Sequence, residues 1–254
     1  MQFGYNYIDG HRIYNNKGPV VQLPYRVQDY TFAAYAEYGL TNELTFIANI
    51  PFRALQTHGA LRLDTPLNVA IRKGSLSAFG NIGISVSYGL RQNKPLVLSI
   101  QLHYDLPSAT FLSSTGLRTG YDTFGVAPYV NVGYTRKNLF YSFKLGYNFR
   151  GDTYSDQFIN RFEIGILLKE QLFLIIGHEA LLSMHNGDHN DGSSLQTGLY
   201  ANNTEYLTYN LKLGYKIKPQ LILWLYVSGG YWGNAVLRSP AIGIALSNEW
   251  KKKR

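Results

Sequence analysis

Residues 138–150 of this chain read NLFYSFKLGYNFR, and this stretch decides the fold. Its odd positions are all apolar or aromatic, whereas its even positions, Phe140 excepted, hold polar residues, glycine or charged residues. Successive side chains of a β-strand point to opposite faces, so the pattern predicts a strand with one apolar face. The same alternation returns at 96–105 and at 207–216, each time with an uninterrupted apolar face and charge on the other face.

The length of these strands points to a membrane. The alternating segments run for ten to fourteen residues. Strands of water-soluble sheets usually run for about five or six residues, whereas a tilted strand that crosses a bilayer needs about nine to eleven. Strand length therefore favours a transmembrane barrel over a soluble sandwich.

The alternation predicts twelve strands along the chain, at 3–14, 26–39, 43–55, 78–91, 95–106, 121–136, 138–150, 158–169, 171–183, 204–217, 220–232 and 240–250. Short turns alternate with long connections, which are 15–25, 56–77, 107–120, 151–157, 184–203 and 233–239. Bacterial outer-membrane barrels have an even strand number, short periplasmic turns and longer outer loops. The prediction is therefore all-β: a single domain over residues 1–254 that forms a twelve-stranded antiparallel up-and-down transmembrane β-barrel, with both termini periplasmic.

Composition excludes several other classes. The chain has no cysteine, which excludes disulfides and thiolate metal sites. Its mean hydropathy of −0.15 does not describe a helical membrane protein, and the uncharged stretch 220–237 contains three glycines and fits a strand, a turn and a strand start. Twenty-one tyrosines and twenty-five glycines suit a barrel with aromatic girdles. The chain opens without a basic-then-apolar leader, so we expect the mature form of an exported protein.

The formal charge of +8 does not indicate nucleic-acid binding. Eleven of the 24 basic residues lie in or beside the short turns or at the extreme end: Arg91, Lys94, Arg136, Lys137, Lys169, Lys216, Lys218, Lys251, Lys252, Lys253 and Arg254. In a barrel they share one rim, where each is attracted to anionic headgroups by about 1 kcal/mol; capping of exposed strand ends is an equal alternative. The predicted partners are outer-membrane lipid, lipopolysaccharide and other envelope proteins, with no nucleic acid.

Strand parity also predicts which side chains face the interior. The candidate lumen-lining residues are Arg53, Gln101, His103, Asp105, Asn131, Lys144, Asn148, Arg161, Glu163, Asn210 and Lys212. Both signs of charge are present, so these residues either pair across the lumen or line a slim passage. The strands that begin at Gln171 and Gln220 are apolar on both faces. Their inner face is either an apolar patch in the lumen or a contact with a plug or partner.

Catalytic and metal-binding signatures are weak. Lipid A deacylases and phospholipases of the outer membrane resemble one another in pairing a histidine with a serine two residues on, and none of the six histidines here has that neighbour. His103 and Asp105 share the inner face as a proton-transfer pair would, although a structural role is the alternative. The segment 184–192 reads MHNGDHNDG, but Gly192 takes the place of the third oxygen ligand of an EF-hand. We therefore predict no catalytic residue, no metal, no cofactor and no enzyme.

Three stretches carry a family resemblance: YGLTNELT at 38–45, which continues to IPF at 50–52; FGNIGI at 79–84, which opens a strand after a long loop; and LGYNFRG at 145–151, which closes one. On these stretches the chain resembles the outer-membrane transporter barrels named for the MetA pathway of phenol degradation, and in style the FadL-type channels for hydrophobic compounds. The resemblance covers most of the chain. It implies passage of small molecules, aromatic or apolar ones among them, across the outer membrane.

A FadL-like hatch is not expected, because only Met1 and Gln2 precede the first predicted strand. The predicted function is a porin-like channel or uptake protein for small molecules in the outer membrane of a Gram-negative bacterium. The alternative is a non-conducting structural or accessory subunit of a larger outer-membrane assembly.

Overall fold

The computed structural model describes residues 1–15, 19–60, 73–92, 95–190 and 197–250, the side chains of 59 and 60 excepted. In the described residues, no helix has the length and apolar character needed to cross a membrane. The strands are β1 (Gln2–Tyr14), β2 (Val20–Gly39), β3 (Leu44–Ala60), β4 (Gly74–Phe79), β5 (Gly83–Arg91), β6 (Leu96–Asp105), β7 (Phe111–Leu112), β8 (Leu117–Arg118), β9 (Gly125–Arg136), β10 (Leu139–Arg150), β11 (Gln157–Leu168), β12 (Leu172–Ser183), β13 (Glu205–Lys218), β14 (Leu221–Asn234), β15 (Val236–Leu237) and β16 (Ala241–Asn248).

The strands close into the predicted twelve-stranded barrel. The wall runs in the order β1, β16, β14, β13, β12, β11, β10, β9, β6, β5, β3, β2, and β2 pairs with β1 to close the ring. Every neighbouring pair is antiparallel, and β4 continues the line of β5 along β3. Closure pairs the edge strands with each other, as a membrane requires. The small strands β7 and β8 form a hairpin that is not part of the wall.

The apolar side chains face outward, as the alternation predicts. Leu102, Ile176 and Ile242 are 57%, 60% and 60% exposed. Soluble proteins rarely expose large apolar side chains along many neighbouring strands, whereas the lipid-facing band of a membrane barrel does so. The barrel thus carries its apolar surface on the outside and its polar side chains within.

The strands that are apolar on both faces form an apolar patch on the inner wall. Phe173 of β12 and Trp224 of β14 lie with their ring centroids 5.5 Å apart. The Trp224 indole N–H donates a hydrogen bond to the Ser247 hydroxyl at 2.9 Å, so its polar atom is satisfied. Gly214, opposite Trp224 on β13, leaves the space that the indole ring occupies.

The strands at the long-loop end extend further than the sequence predicts. β2 begins at Val20 and β3 continues to Ala60, whereas 15–25 and 56–77 were predicted as loops. The two strands stay in register here, with Gln28 opposite Gln56. The Gln56 side chain donates to that of Gln28 at 2.6 Å. Polar side chains on the outer face interrupt the apolar alternation while the backbone ladder continues, which is why the pattern misses these ends.

The fourth wall strand is broken at 80–82, where the sequence predicts continuous strand. The Asn81 side chain bonds the backbone of Tyr121 in both directions, accepting from its N–H and donating to its carbonyl at 2.7 Å each. Gly80 N–H donates to the Pro51 carbonyl at 2.9 Å. The break therefore docks the 106–124 connection onto the wall.

Candidate functional site

The barrel encloses a polar cavity of about 640 Å³. Its lining comes from seven wall strands and includes the predicted residues Gln101, His103, Asn131, Lys144 and Arg161. The ammonium of Lys144 lies 3.9 Å from the centroid of the Tyr129 ring and 3.4 Å from Oε1 of Gln101. A cation over an aromatic face is stabilised by the ring quadrupole. The cavity thus presents both signs of charge and many hydrogen-bonding groups.

His103 takes part in a hydrogen-bonded chain on the wall of this cavity. Its Nδ1 lies 2.8 Å from the hydroxyl of Ser85 on the neighbouring strand, and its Nε2 lies 3.0 Å from Oδ1 of Asp105. The Gln101 amide donates to the same hydroxyl at 2.9 Å. Ser85 is only 4% exposed and bonded on both sides, so it is not placed as a free nucleophile. The sequence pattern of a histidine followed two residues later by a serine does not detect this contact, because Ser85 and His103 lie on different strands.

A second cavity, of about 420 Å³, is lined by the predicted residues Arg161, Glu163, Asn210 and Lys212, and by Glu179. Lys212 and Glu163 form an ion pair with 2.6 Å between Nζ and Oε1. Arg161 pairs with Glu179 on the next strand at 2.5 Å. Because Arg161 borders both this cavity and the larger one, it lies at their junction.

A third cavity, of about 280 Å³, has a more apolar and aromatic lining. Arg53 and Asp29 form a hydrogen-bonded ion pair there, and the Thr31 hydroxyl donates to Asp29 at 2.6 Å. The Arg53 guanidinium carbon lies 5.0 Å from the centroid of the Tyr200 ring. Burial raises the pKa of Tyr200 to about 12, against the lowering effect of Arg53, so its hydroxyl stays protonated at neutral pH.

Connections fold inward over this third cavity. Leu117 of β8 and Leu199, which follows β12, are 0% and 8% exposed. They belong to one buried apolar cluster with inner-wall residues of β1, β2 and β3, namely Ile13, Leu23, Val27 and Leu55. This cluster packs the two connections against the inner wall at the long-loop end of the barrel.

Nine of the eleven predicted lumen residues line one of the three cavities: Arg53, Gln101, His103, Asn131, Lys144, Arg161, Glu163, Asn210 and Lys212. Asp105 instead bonds His103, and Asn148 is 7% exposed against Gly125. Any part that these residues have in passage stays a prediction.

Sequence reasoning missed several lining residues. Glu37 of β2 lines the 640 Å³ cavity, and Asp29 lies an even number of residues before it on the same strand, so the alternation was a usable signal for Asp29. Glu179 lies on a strand that is apolar on both faces, where parity gives no signal. Tyr200 and Leu199 lie outside the wall strands, and no periodic pattern marks them.

The histidine-rich segment does not assemble a metal site within the part of the chain that the structure describes. No group of three or more His, Cys, Asp or Glu side chains converges there. His185 approaches Glu205 at 3.4 Å, and the Asn186 amide donates to Asp156 at 2.8 Å. Asp191 and Gly192 lie outside the described residues, as do five of the basic residues assigned to the rim, namely Lys94, Lys251, Lys252, Lys253 and Arg254.

Comparisons with known proteins agree with this architecture. The family model described as "Putative MetA-pathway of phenol degradation" matches residues 10–246. No curated protein matches the chain. An outer-membrane channel of Pseudomonas putida F1 superposes with a TM-score of 0.73 at 13% identity, over 97% of this chain and 94% of the other. A KdgM porin in complex with disordered oligogalacturonate superposes with a TM-score of 0.53 at 9% identity, over 99% of this chain and 100% of the other. These similarities show a shared outer-membrane barrel fold.

Proposed function

This chain belongs to the family of the MetA pathway of phenol degradation, and on that premise we propose that it is an outer-membrane channel for the uptake of small molecules. The observation that carries the proposal is the series of three cavities within the barrel. Arg161 borders the first and second, and Tyr206 borders the second and third. The shared residues make the three cavities adjacent, and we propose that together they form a route through the barrel.

The third cavity supports a cargo that is small and partly apolar or aromatic. Tyr121 and Tyr200, with ring centroids 5.2 Å apart, contribute to its wall, and so do Leu181 and Leu237. Pockets for small ligands are mostly apolar with a few placed polar groups. Here those groups are the Arg53 and Asp29 side chains, which would face a polar substituent of the cargo.

The rival function is a non-conducting subunit of a larger envelope assembly. One observation favours it: the buried apolar cluster packs two connections into the long-loop end of the barrel. A barrel that never opened there would carry no solute.

Planar-bilayer recording with the purified protein separates the two functions. The channel predicts reproducible conductance steps. A silent membrane, together with partner chains that co-purify, would reject the channel in favour of the assembly subunit.

Binding to the third cavity is tested separately by calorimetric titration with a monocyclic aromatic alcohol. The Tyr200→Ala variant is expected to lose the binding. Tyr209→Ala is the matched control, because Tyr209 is 51% exposed and shares the outward face of Leu211 on β13. Equal affinity in both variants would contradict the assignment of this cavity to cargo.

The proposed orientation has both termini and the short turns in the periplasm and the long loops outside, against lipopolysaccharide. Since the chain has no native cysteine, single cysteines report it cleanly. Asp188→Cys lies at an exposed position of a long loop, and Thr41→Cys lies at an exposed position of a short turn. A membrane-impermeant maleimide is expected to label the first in intact cells and the second only after the cells are broken. The reverse pattern would invert the orientation.

A further inference from the structure

We propose that the long-loop end of the barrel is a gate of two leaves, and that solute enters where the leaves meet. The first leaf is 106–124, which includes the β7–β8 hairpin, and the second leaf is 197–204. The proposal rests on the channel function above and names how that channel opens. Three observations support it: the leaves are anchored at different places on the wall, uncharged contacts join them, and they form the roof of the third cavity.

The first leaf is anchored on the wall at the break between β4 and β5. Asn81 donates to the carbonyls of Leu106 and Tyr121 at 2.9 and 2.7 Å. The hydroxyls of Thr119 and Ser108 donate to the carbonyls of Phe79 and Gly80 at 2.7 Å each. These bonds satisfy backbone groups of a connection that has no ladder of its own, so the anchor is costly to break.

The second leaf is anchored at Arg150 of β10, at the connection that follows β10 and at the β14–β15 region. The first leaf also contacts that connection, through the hydrogen bonds of Arg118 and Asp122 with Tyr154. The Arg150 guanidinium donates to the Asn202 carbonyl at 2.6 Å, and the backbone N–H of Ser155 donates to Oδ1 of Asn202 at 2.6 Å. The N–H of Leu237 donates to the Gly198 carbonyl at 3.1 Å. Hydrogen bonds that involve a charged group are about twice as strong as neutral ones.

The seam between the leaves is different in character. The Thr197 hydroxyl donates to the Gly116 carbonyl at 2.9 Å, and Leu117 and Leu199 share the buried cluster. Tyr121 and Tyr200 meet edge to face with 5.2 Å between ring centroids. These contacts from leaf to leaf are apolar, aromatic or neutral hydrogen bonds. These contacts include one hydrogen bond, whereas four of the bonds above hold the first leaf and three hold the second, so the seam is the weakest line between the leaves.

Parting of the leaves would open the third cavity to the outside. Tyr121 belongs to the first leaf, Leu199 and Tyr200 belong to the second, and all three line that cavity. Arg53 faces the Tyr200 ring from the barrel wall beneath. A solute that enters through the seam therefore reaches the aromatic cavity first, before the polar cavities.

The absence of native cysteine makes the gate testable by stapling. The variant Leu117→Cys/Leu199→Cys puts one thiol on each leaf. The control Leu112→Cys/Leu117→Cys staples the first leaf to itself, because these residues are antiparallel partners in the β7–β8 hairpin. Single-channel recording compares both variants reduced and oxidised, with the staple verified by mass. Where oxidation leaves the cross-seam thiols free, a flexible bismaleimide joins them.

We expect the cross-seam staple to abolish conductance and dithiothreitol to restore it where the staple is a disulfide, whereas the control conducts in both states. A verified cross-seam staple that leaves conductance unchanged would overturn the gate and leave the channel intact. If neither the wild-type protein nor any reduced variant conducts, the proposed channel function is wrong, and the gate proposal fails with it.

A milder variant covers the case in which the double substitution prevents folding. Thr197→Val removes the hydroxyl that crosses the seam at nearly constant volume. It is expected to raise the frequency of openings, and an unchanged frequency would count against the seam.

Discussion

Arg161 and Glu179 face each other on neighbouring strands inside the barrel, and the Arg161 Nε and Nη2 both donate to Oε2 of Glu179, at 2.8 and 2.5 Å. The two side chains are 48% and 21% exposed to the lumen. Ion pairs in contact with water contribute about 0.2–1 kcal/mol to stability. The pair therefore matters more for the charge at the junction of the two larger cavities than for the fold.

Substitution at this pair is expected to change ion selectivity. Arg161→Gln leaves the carboxylate without its cation and shifts the reversal potential in a salt gradient toward cation preference, and Glu179→Gln shifts it the other way. The double variant returns toward the wild-type value, and each free energy of unfolding changes by about 1 kcal/mol or less. Shifts of the same sign in both single variants would contradict this placement.

The Arg53–Asp29 pair is expected to matter for stability instead. Asp29 is 2% exposed, so Arg53→Met leaves a buried carboxylate without its cation. Removal of one partner of a buried pair costs about 3–5 kcal/mol. Urea unfolding in detergent measures the loss, and Arg53→Met/Asp29→Asn is expected to recover most of it. A double variant as unstable as the single one would show that the lost contact with Tyr200, rather than the charge, is responsible.

A charged substitution is expected to destabilise the barrel on its outward face and to be tolerated on its inward face. Ile176 is 60% exposed on the outside, and an arginine on the lipid face costs about 2–4 kcal/mol at the bilayer midplane. Ser99 faces the large inner cavity and serves as the matched position. Unfolding in liposomes should show Ile176→Arg destabilised by that amount and Ser99→Arg nearly unchanged. Equal losses would mean that Ile176 does not face lipid.

The packing of the first leaf at the long-loop end is expected to become less stable in acid. Tyr154 and Arg118 hydrogen-bond Asp122 at 2.5 and 2.7 Å. Burial opposes ionisation of Asp122, but these two groups outweigh it and hold its pKa below the ordinary 3.8. A carboxyl with a lowered folded pKa contributes stability that is present above pH 3.8 and is lost as the pH falls below it. Asp122→Asn should flatten the acid side of a plot of unfolding midpoint against pH; an unchanged slope would contradict the role of this carboxyl.

Much of the barrel is readable from sequence because the signal is local. Along 138–150 the face on which a side chain lies depends only on whether its position is odd or even. Because one face meets lipid and the other meets the lumen, one set of positions is apolar and the other is polar. The same logic predicted the number of wall strands, the alternation of short and long connections, and the inward position of residues such as Gln101 and Lys212.

Contacts between distant parts of the chain were beyond that logic. Ser85 bonds His103 from the neighbouring strand, and Leu117 and Leu199 meet in one cluster although they lie in different connections. Connections carry no periodic pattern, and where they fold depends on single side chains such as Asn81 that bond a distant backbone.

The sequence by itself therefore determined the barrel, its lipid-facing surface and most of its polar interior, because strand parity next to lipid is a local property. Only the tertiary structure decided which inner charges pair, how the cavities adjoin and that two connections pack into the long-loop end. Those features depend on strand register and on connections that fold back into the lumen, and both are set by long-range contacts.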